Sequence, residues 1–356
     1  MQSVLITGAT GFVGQEVLRQ CRELRLENQV VSHTAIERLG ISNLQATQTI
    51  IHLAGMAHQM DLNAPEHFGA YYRANVEPGL KLAMLARKAG VERFIYVSTI
   101  KVNGEYNRNK EAFLATDPCY PVGPYATSKY LAEIQLARAF KGTRTRLIVV
   151  RPPLVYGPGV KGNLLRLMQW IRSGKPLPLG LARQKRAMIA VSNLAGFLLH
   201  LVKSSLNHTD RNNATNKDAR YSGGLLPASR ACHRINKEQA VAIAKLPGWS
   251  NELFESEWLK NFSLEYPVYM PSDYCPDPKE LCIELARHFH EKARLLPVPP
   301  ILLRLTPYYN RFFMQYLIDD KAARQTGWKN IQEPVEVLQE MVAAFDECQD
   351  KSRIRP

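Results

Sequence analysis

The sequence predicts an α/β fold: a doubly wound parallel sheet, with a smaller C-terminal region built over one end of it. Three observations lead there. Short apolar runs alternate with amphipathic stretches of helical length up to Val150. The first run breaks into three closely spaced glycines and then into a helix pattern. Beyond Pro152 the alternation stops and Pro and Gly become frequent. Strands that alternate with helices in this way form parallel sheets covered on both faces, because each parallel crossover needs a helix.

The elements follow in order. Val4-Leu5-Ile6-Thr7 is an apolar strand, and 12–26 has the periodicity of an amphipathic helix. Residues 29–31 read as a second strand and 49–53 as a third buried run ending in Ala54-Gly55. Residues 68–89 are helical with a glycine stop at Gly90, 93–97 strand-like, 124–140 helical and 146–150 strand-like again. Residues 203–262 differ from their flanks. They are polar and rich in Asn (Asn207, Asn212, Asn213, Asn216), and read as an insertion that is partly helical near 237–245.

Composition sets outer bounds. Of 356 residues 46% are hydrophobic and 22% charged, the balance of a globular protein with a substantial core. No run approaches the roughly 20 apolar residues that a membrane helix needs. The chain opens on a strand pattern rather than on a secretory leader, so the expected compartment is the cytoplasm. Six cysteines are scattered without a C-x-x-C pair, which suits free thiols and no metal site. The net charge of +14 is spread along the chain with no nucleic-acid motif. A polyanionic small ligand is therefore expected rather than nucleic acid. Residues 293–318 mix Leu, Pro, Tyr and Phe with Arg294, Arg304 and Arg311. Core packing and weak association with an anionic membrane surface are both open for that stretch.

Thr7-Gly8-Ala9-Thr10-Gly11-Phe12-Val13-Gly14 stands between a strand and a helix, the context in which a glycine motif carries meaning. Its glycines permit a tight turn, close approach of backbone to phosphate, and close helix–strand packing. The helix N-terminus adds unpaired N–H groups and partial positive charge for a pyrophosphate. A dinucleotide is the expected ligand. Tyr125 and Lys129 are four residues apart, hence on one helix face. The ammonium, a cationic nicotinamide and the helix start would all favour a phenolate, so Tyr125 is a candidate proton shuttle. Thr99 follows the strand-like run 93–97, at the strand end where such sheets bind ligands.

That combination resembles the extended short-chain dehydrogenase/reductase family, in its nucleotide-sugar epimerase, dehydratase and reductase branch. Further matches are Ile51-His52-Leu53-Ala54-Gly55, Asn75-Val76, Val97-Ser98-Thr99 and Arg151-Pro152-Pro153-Leu154-Val155-Tyr156-Gly157-Pro158-Gly159. Ile100-Lys101-Val102-Asn103-Gly104-Glu105 and Pro158-Gly159-Val160-Lys161-Gly162-Asn163 are similar to the UDP-glucose 4-epimerase-like members and to reductases of UDP-4-keto-6-deoxy sugars. The resemblance implies a Rossmann domain over 1–160 and a mainly substrate-binding region over 161–356. It implies Thr99, Tyr125 and Lys129 as catalytic residues, and NAD or NADP as the cofactor. The cofactor would be held by Gly8, Thr10, Gly11, Phe12, Val13 and Gly14, together with His33, Leu53, Ala54, Gly55, Asn75, Tyr125 and Lys129. Asn163, Leu179 and Arg186, with Thr99, would bind a UDP-sugar. Helices 68–89 and 124–140 would pair two copies into a homodimer.

There are departures from the pattern. Too few residues lie between the second strand and Ile50 for two helices and the usual third strand, which is an edge in this order. The second strand ends in Ser32-His33-Thr34 without an acidic residue for the ribose, so His33 and Arg38 lean the expectation toward a 2′-phosphate. Leu154 replaces the Asn many relatives carry there. Ile100-Lys101 stands where 4,6-dehydratases carry Asp-Glu, which argues against dehydration. A UDP-sugar 4-epimerase of bacterial surface-polysaccharide (O-antigen) biosynthesis is the leading expectation. A NADPH-dependent reductase of a UDP-4-keto-6-deoxy-hexose is the alternative within this chemistry, and a non-catalytic dinucleotide sensor or scaffold the alternative outside it.

Overall fold

A computed structural model describes residues 3–57, 67–107, 111–204, 266–304, 306 and 309–353. Six strands make one parallel sheet in the order β2-β1-β3-β4-β5-β8. These are β1 (Val4–Thr7), β2 (Asn28–Val31), β3 (Thr49–His52), β4 (Arg93–Val97), β5 (Arg146–Val150) and β8 (Val268–Tyr269). A second, two-stranded parallel sheet pairs β6 (Leu154–Tyr156) with β7 (Met188–Ala190).

Alternation along the strands builds two separate cores. Leu5, Ile50, Phe94, Tyr96, Leu147 and Val149 face one side and pack with residues of α3 (Glu77–Ala89) and α4 (Gly123–Phe140). Val4, Ile6, Ile51, Ile95, Ile148 and Val150 face the other and meet α1 (Phe12–Glu23) and α6 (Val191–Lys203). The doubly wound arrangement is thus the burial of two hydrophobic strand faces. Both α6 and β8 come from beyond residue 161 yet complete these layers, so the two regions interleave along the chain. A third core joins α5 (Asn163–Arg172) to the helices Pro278–His288 and Pro334–Arg353.

The helical stretch 68–89 divides into α2 (Phe68–Asn75) and α3, with Pro78 in the first turn of the second helix. Proline has no N–H for a helix interior, and the break at Val76 places it where that donor is not needed. The shortened link after β2 contains only two 3-10 turns, Thr34–Arg38 and Ile41–Leu44. Consequently β2 is the sheet edge, with Asn28 to Val30 exposed. The insertion, including the helix expected near 237–245, lies outside the described residues from 205 onward.

Candidate functional site

The glycine loop is shaped by contacts that exclude a Cβ. Gly8 has φ +72°, and a Cβ there would lie 2.6 Å from the Ala54 nitrogen. On Gly14 it would lie 2.2 Å from the Gly8 carbonyl oxygen. The turn is closed by the Gly11 N–H donating to Gly8 O (3.0 Å). Gly11 then begins α1 with no side-chain cap and no acidic residue in the first turn. Thr10 and Gly11 are exposed, and Phe12 and Val13 half-buried, at an end where the first N–H groups have no intrahelical partner. A pyrophosphate fits this cradle on geometry alone.

Leu53 and Ala54 lie against the loop, their backbone atoms within 3 Å of where a Gly8 Cβ would stand. Thr7 Oγ1 accepts from Ala54 N–H (3.3 Å) and lies 2.7 Å from His52 Nδ1. Burial, reinforced by the Lys129 ammonium, pulls the His52 imidazole down to about 3, so it is neutral. Asn75 is held by hydrogen bonds to two other segments. It accepts from Met56 N–H (2.6 Å) and donates to Ser128 Oγ (2.9 Å), and Ser128 in turn donates to Tyr125 O (2.8 Å). Its amide therefore couples the loop after β3 to the helix that carries Tyr125. A Cβ on Gly55 would collide with Asn75 Oδ1 at 2.6 Å, which explains the glycine.

Thr99, Tyr125 and Lys129 converge at the C-terminal end of β4. Thr99 is buried just past the strand, where Ser98 N–H and Ile100 N–H donate to Val150 O and Pro152 O. Its hydroxyl acts on the Tyr125 phenol and favours the charged form. Lys129 is buried, donates to Val97 O (2.8 Å) and lies 4.6 Å from the Tyr96 ring centre. Burial pulls its ammonium down to about 8, against an upward pull from Glu133. This chain's own groups do not lower the Tyr125 phenol. Burial pushes it up to about 12, and the Thr99 hydroxyl only partly opposes this. Ammonium and helix start do not outweigh desolvation here, so this residue set alone holds Tyr125 as a neutral phenol.

One more group escaped sequence reasoning. Glu133 continues the i, i+4 series of Tyr125 and Lys129, and is fully buried against Arg151. Arg151 Nε and Nη2 donate to the two Glu133 oxygens (3.0 and 2.5 Å), and Nη1 donates to Asn103 Oδ1 (3.0 Å). Tyr266 OH adds a bond to Glu133 Oε2 (3.2 Å). Catalytic helix, β5 and the turn after Thr99 are thereby locked together. The helical spacing was readable; the partner 18 residues away was not.

The residues expected on the substrate side differ in their surroundings. Asn163 is exposed at the start of α5. Arg186 is neither solvated nor free. It lies 5.0 Å from the Tyr316 ring centre and donates to Met314 O (3.0 Å). Leu179 is 2% exposed and packed in the third core. His33 and Arg38 are exposed beyond the edge strand. Among the described residues no group of three or more His, Cys, Asp or Glu could hold a metal. Nor is any helix among them long and apolar enough to cross a membrane.

Comparison with known proteins follows this geometry. The chain is 31% identical over 279 residues to a UDP-glucose 4-epimerase of Vibrio cholerae, covering 71% of this chain and 81% of that one. It is 26% identical over 213 residues to the N-acetyl-alpha-D-glucosaminyl-diphospho-ditrans,octacis-undecaprenol 4-epimerase of Escherichia coli O157:H7, covering 57% and 63%. The fold is shared with the UDP-glucose 4-epimerase of Thermotoga maritima solved with UDP-glucose, at TM-score 0.65 and 16% identity over 98% of this chain and 100% of that one. It is shared equally with RMD from Pseudomonas aeruginosa complexed with NADPH, at TM-score 0.67 and 16% identity over 98% and 100%. Residues 4–213 match the NAD dependent epimerase/dehydratase family, and with a glycine cradle, Thr99, Tyr125 and Lys129 in one site, this chain belongs to that family of NAD-dependent enzymes.

Proposed function

We propose that the protein is an NAD-dependent UDP-sugar 4-epimerase that works through a 4-keto sugar, in the making of bacterial surface polysaccharide. The observation that carries the reading is the meeting of Thr99, Tyr125 and Lys129 at the end of β4 beside the glycine cradle, with Lys129 Nζ donating to Val97 O. Gly8, Gly11 and Gly14 with the start of α1 would hold the pyrophosphate, and Lys129 the nicotinamide ribose. When bound, the oxidised nicotinamide supplies the hydride acceptor and a positive charge that favours the Tyr125 phenolate, and its reduced form returns the hydride. Tyr125 takes the proton of the C4 hydroxyl as that carbon is oxidised, and gives it back on reduction. Thr99 donates to the sugar oxygen and holds it in line. Arg186 offers a guanidinium to the diphosphate from its seat on Tyr316, and Asn163 a polar side chain at the start of α5. The exposed flank of α3, with Met84 in solvent, is where a second copy would pack in a cytoplasmic homodimer.

A reductase would run half of this chemistry, Tyr125 giving its proton to a 4-keto oxygen. The neutral phenol suits that role, and the exposed His33 and Arg38 suit a 2′-phosphate. Heating the purified protein and identifying the released dinucleotide separates the two. Stoichiometric NAD is expected; an empty protein that binds NADPH supports reduction. The purified enzyme and Tyr125→Phe are then assayed on UDP-sugars and on a polyprenyl-diphosphate sugar, the carrier in the Escherichia coli relative's name. Loss of roughly 10²-fold or more in kcat with cofactor binding retained is expected. Equal activity in the variant would remove Tyr125 from the mechanism. Cofactor binding with no turnover of any sugar would favour a sensor.

A further inference from the structure

We propose that the turn formed by residues 292–304 docks this protein on an anionic lipid bilayer. Ile301 and Leu302 are 71% and 69% exposed, more than any other large hydrophobic side chain among the described residues. They do not stand alone. Leu296 is exposed on the same turn, and Leu181 is exposed beside it, since Gly180 N–H donates to Leu296 O (2.9 Å). Single exposed apolar residues need no explanation, but a group of four on adjoining turns does.

The shape is a projection, not a groove. Pro297 and Pro299 lead into a four-residue helix, Pro300–Leu303, that itself begins on a proline. Leu295 and Leu303 are half-buried against the third core and fix the base, while Ile301 and Leu302 point outward. One helical turn cannot present the i, i+4, i+7 stripe that a partner helix reads. An apolar tip that can enter a headgroup layer fits it better.

Charge selects the kind of surface. Residues 292–304 contain Lys292, Arg294 and Arg304 and no acidic residue, and 181–187 contain Arg183, Lys185 and Arg186 and none either. Lys292, Arg294, Arg304 and Arg183 are exposed and in no salt bridge among the described residues. Each cation near an anionic leaflet adds an attraction that salt screens, and the apolar tip adds a part that salt does not. The Leu177–Gly180 ribbon that borders the turn runs on to Arg186, so docking would bring the substrate side of the enzyme to the lipid surface.

Co-sedimentation of the full chain with vesicles tests this without reference to turnover. Binding to phosphatidylcholine vesicles containing phosphatidylglycerol, weaker on phosphatidylcholine alone and reduced by salt, is the expected result. Ile301→Asp with Leu302→Asp should weaken binding at least about tenfold, or roughly 1.4 kcal/mol, with the thermal midpoint unchanged because both side chains are solvent-exposed. Arg294→Gln with Arg304→Gln is the second variant; it should lose the preference for phosphatidylglycerol. No vesicle binding by the wild type, or equal binding by the Asp variant, overturns the proposal. So does self-association without lipid that the Asp variant abolishes, because the face would then join protein copies.

Discussion

Glu133→Ala should destabilise the fold far more than an ordinary surface ion pair would allow, and the structure fixes the size of the effect. Glu133 and Arg151 are both fully buried. Removing the carboxylate leaves the guanidinium with only Asn103 Oδ1 among the partners named above, and deprives Tyr266 OH of its acceptor. Breaking one side of a buried pair costs roughly 3–5 kcal/mol, mostly from the charge left uncompensated. For a chain of this size that is a fall in Tm of roughly 4–7 °C. Urea denaturation measures the free energy, and calorimetry the midpoint. The decisive member is the double variant Glu133→Met/Arg151→Met. Replacing a buried pair by apolar groups of similar volume is often near neutral, so the double should be more stable than Glu133→Ala. If Glu133→Ala costs less than about 1 kcal/mol, as exposed pairs do, or if the double loses the sum of the two singles, the buried-charge reasoning fails.

Two further outcomes follow from the same geometry. Gly14→Ala pushes a Cβ to 2.2 Å from Gly8 O and 2.7 Å from the Ala9 Cα, backbone atoms that cannot step aside. Overpacking of roughly 1–3 kcal/mol should open the loop and lower dinucleotide affinity about tenfold or more in a fluorescence titration, and an unchanged Kd would place the pyrophosphate elsewhere. His52 gains a proton near pH 6.5 when unfolded but only near 3 when folded, since burial and the Lys129 ammonium oppose the charge. Its contribution is therefore complete above pH 6.5 and is lost as pH falls toward 3, by about 1.4 kcal/mol per pH unit. The stability difference between wild type and His52→Asn, followed from pH 6.5 down to 4.5, should shrink with that slope; a flat difference would refute the buried neutral imidazole.

Features set by local chemistry were legible in the sequence. The glycine loop announced itself because a tight turn at φ +72° excludes most side chains. Tyr125 and Lys129 could be paired by helical spacing, and Thr99 located by its place after a strand. The missing third strand followed from chain length alone, and β2 is indeed the sheet edge. What the sequence left open depended on distant partners: the third core encloses Leu179, and Tyr316 lies beneath Arg186. For the Tyr125 phenol, burial, a property of the whole packed site, outweighs what this chain's own groups do to favour charge.

By itself the sequence determined a parallel α/β sheet, a dinucleotide cradle, and a Thr–Tyr–Lys set at one strand end. Those are encoded in periodicities and in residues whose conformations are locally forced. The tertiary structure alone decided that Asn75 joins cofactor loop to catalytic helix, that Glu133 is locked to Arg151, and that Tyr125 rests as a neutral phenol. Each of these depends on which groups lose water together, and desolvation is fixed only when segments far apart in the chain close over the same space.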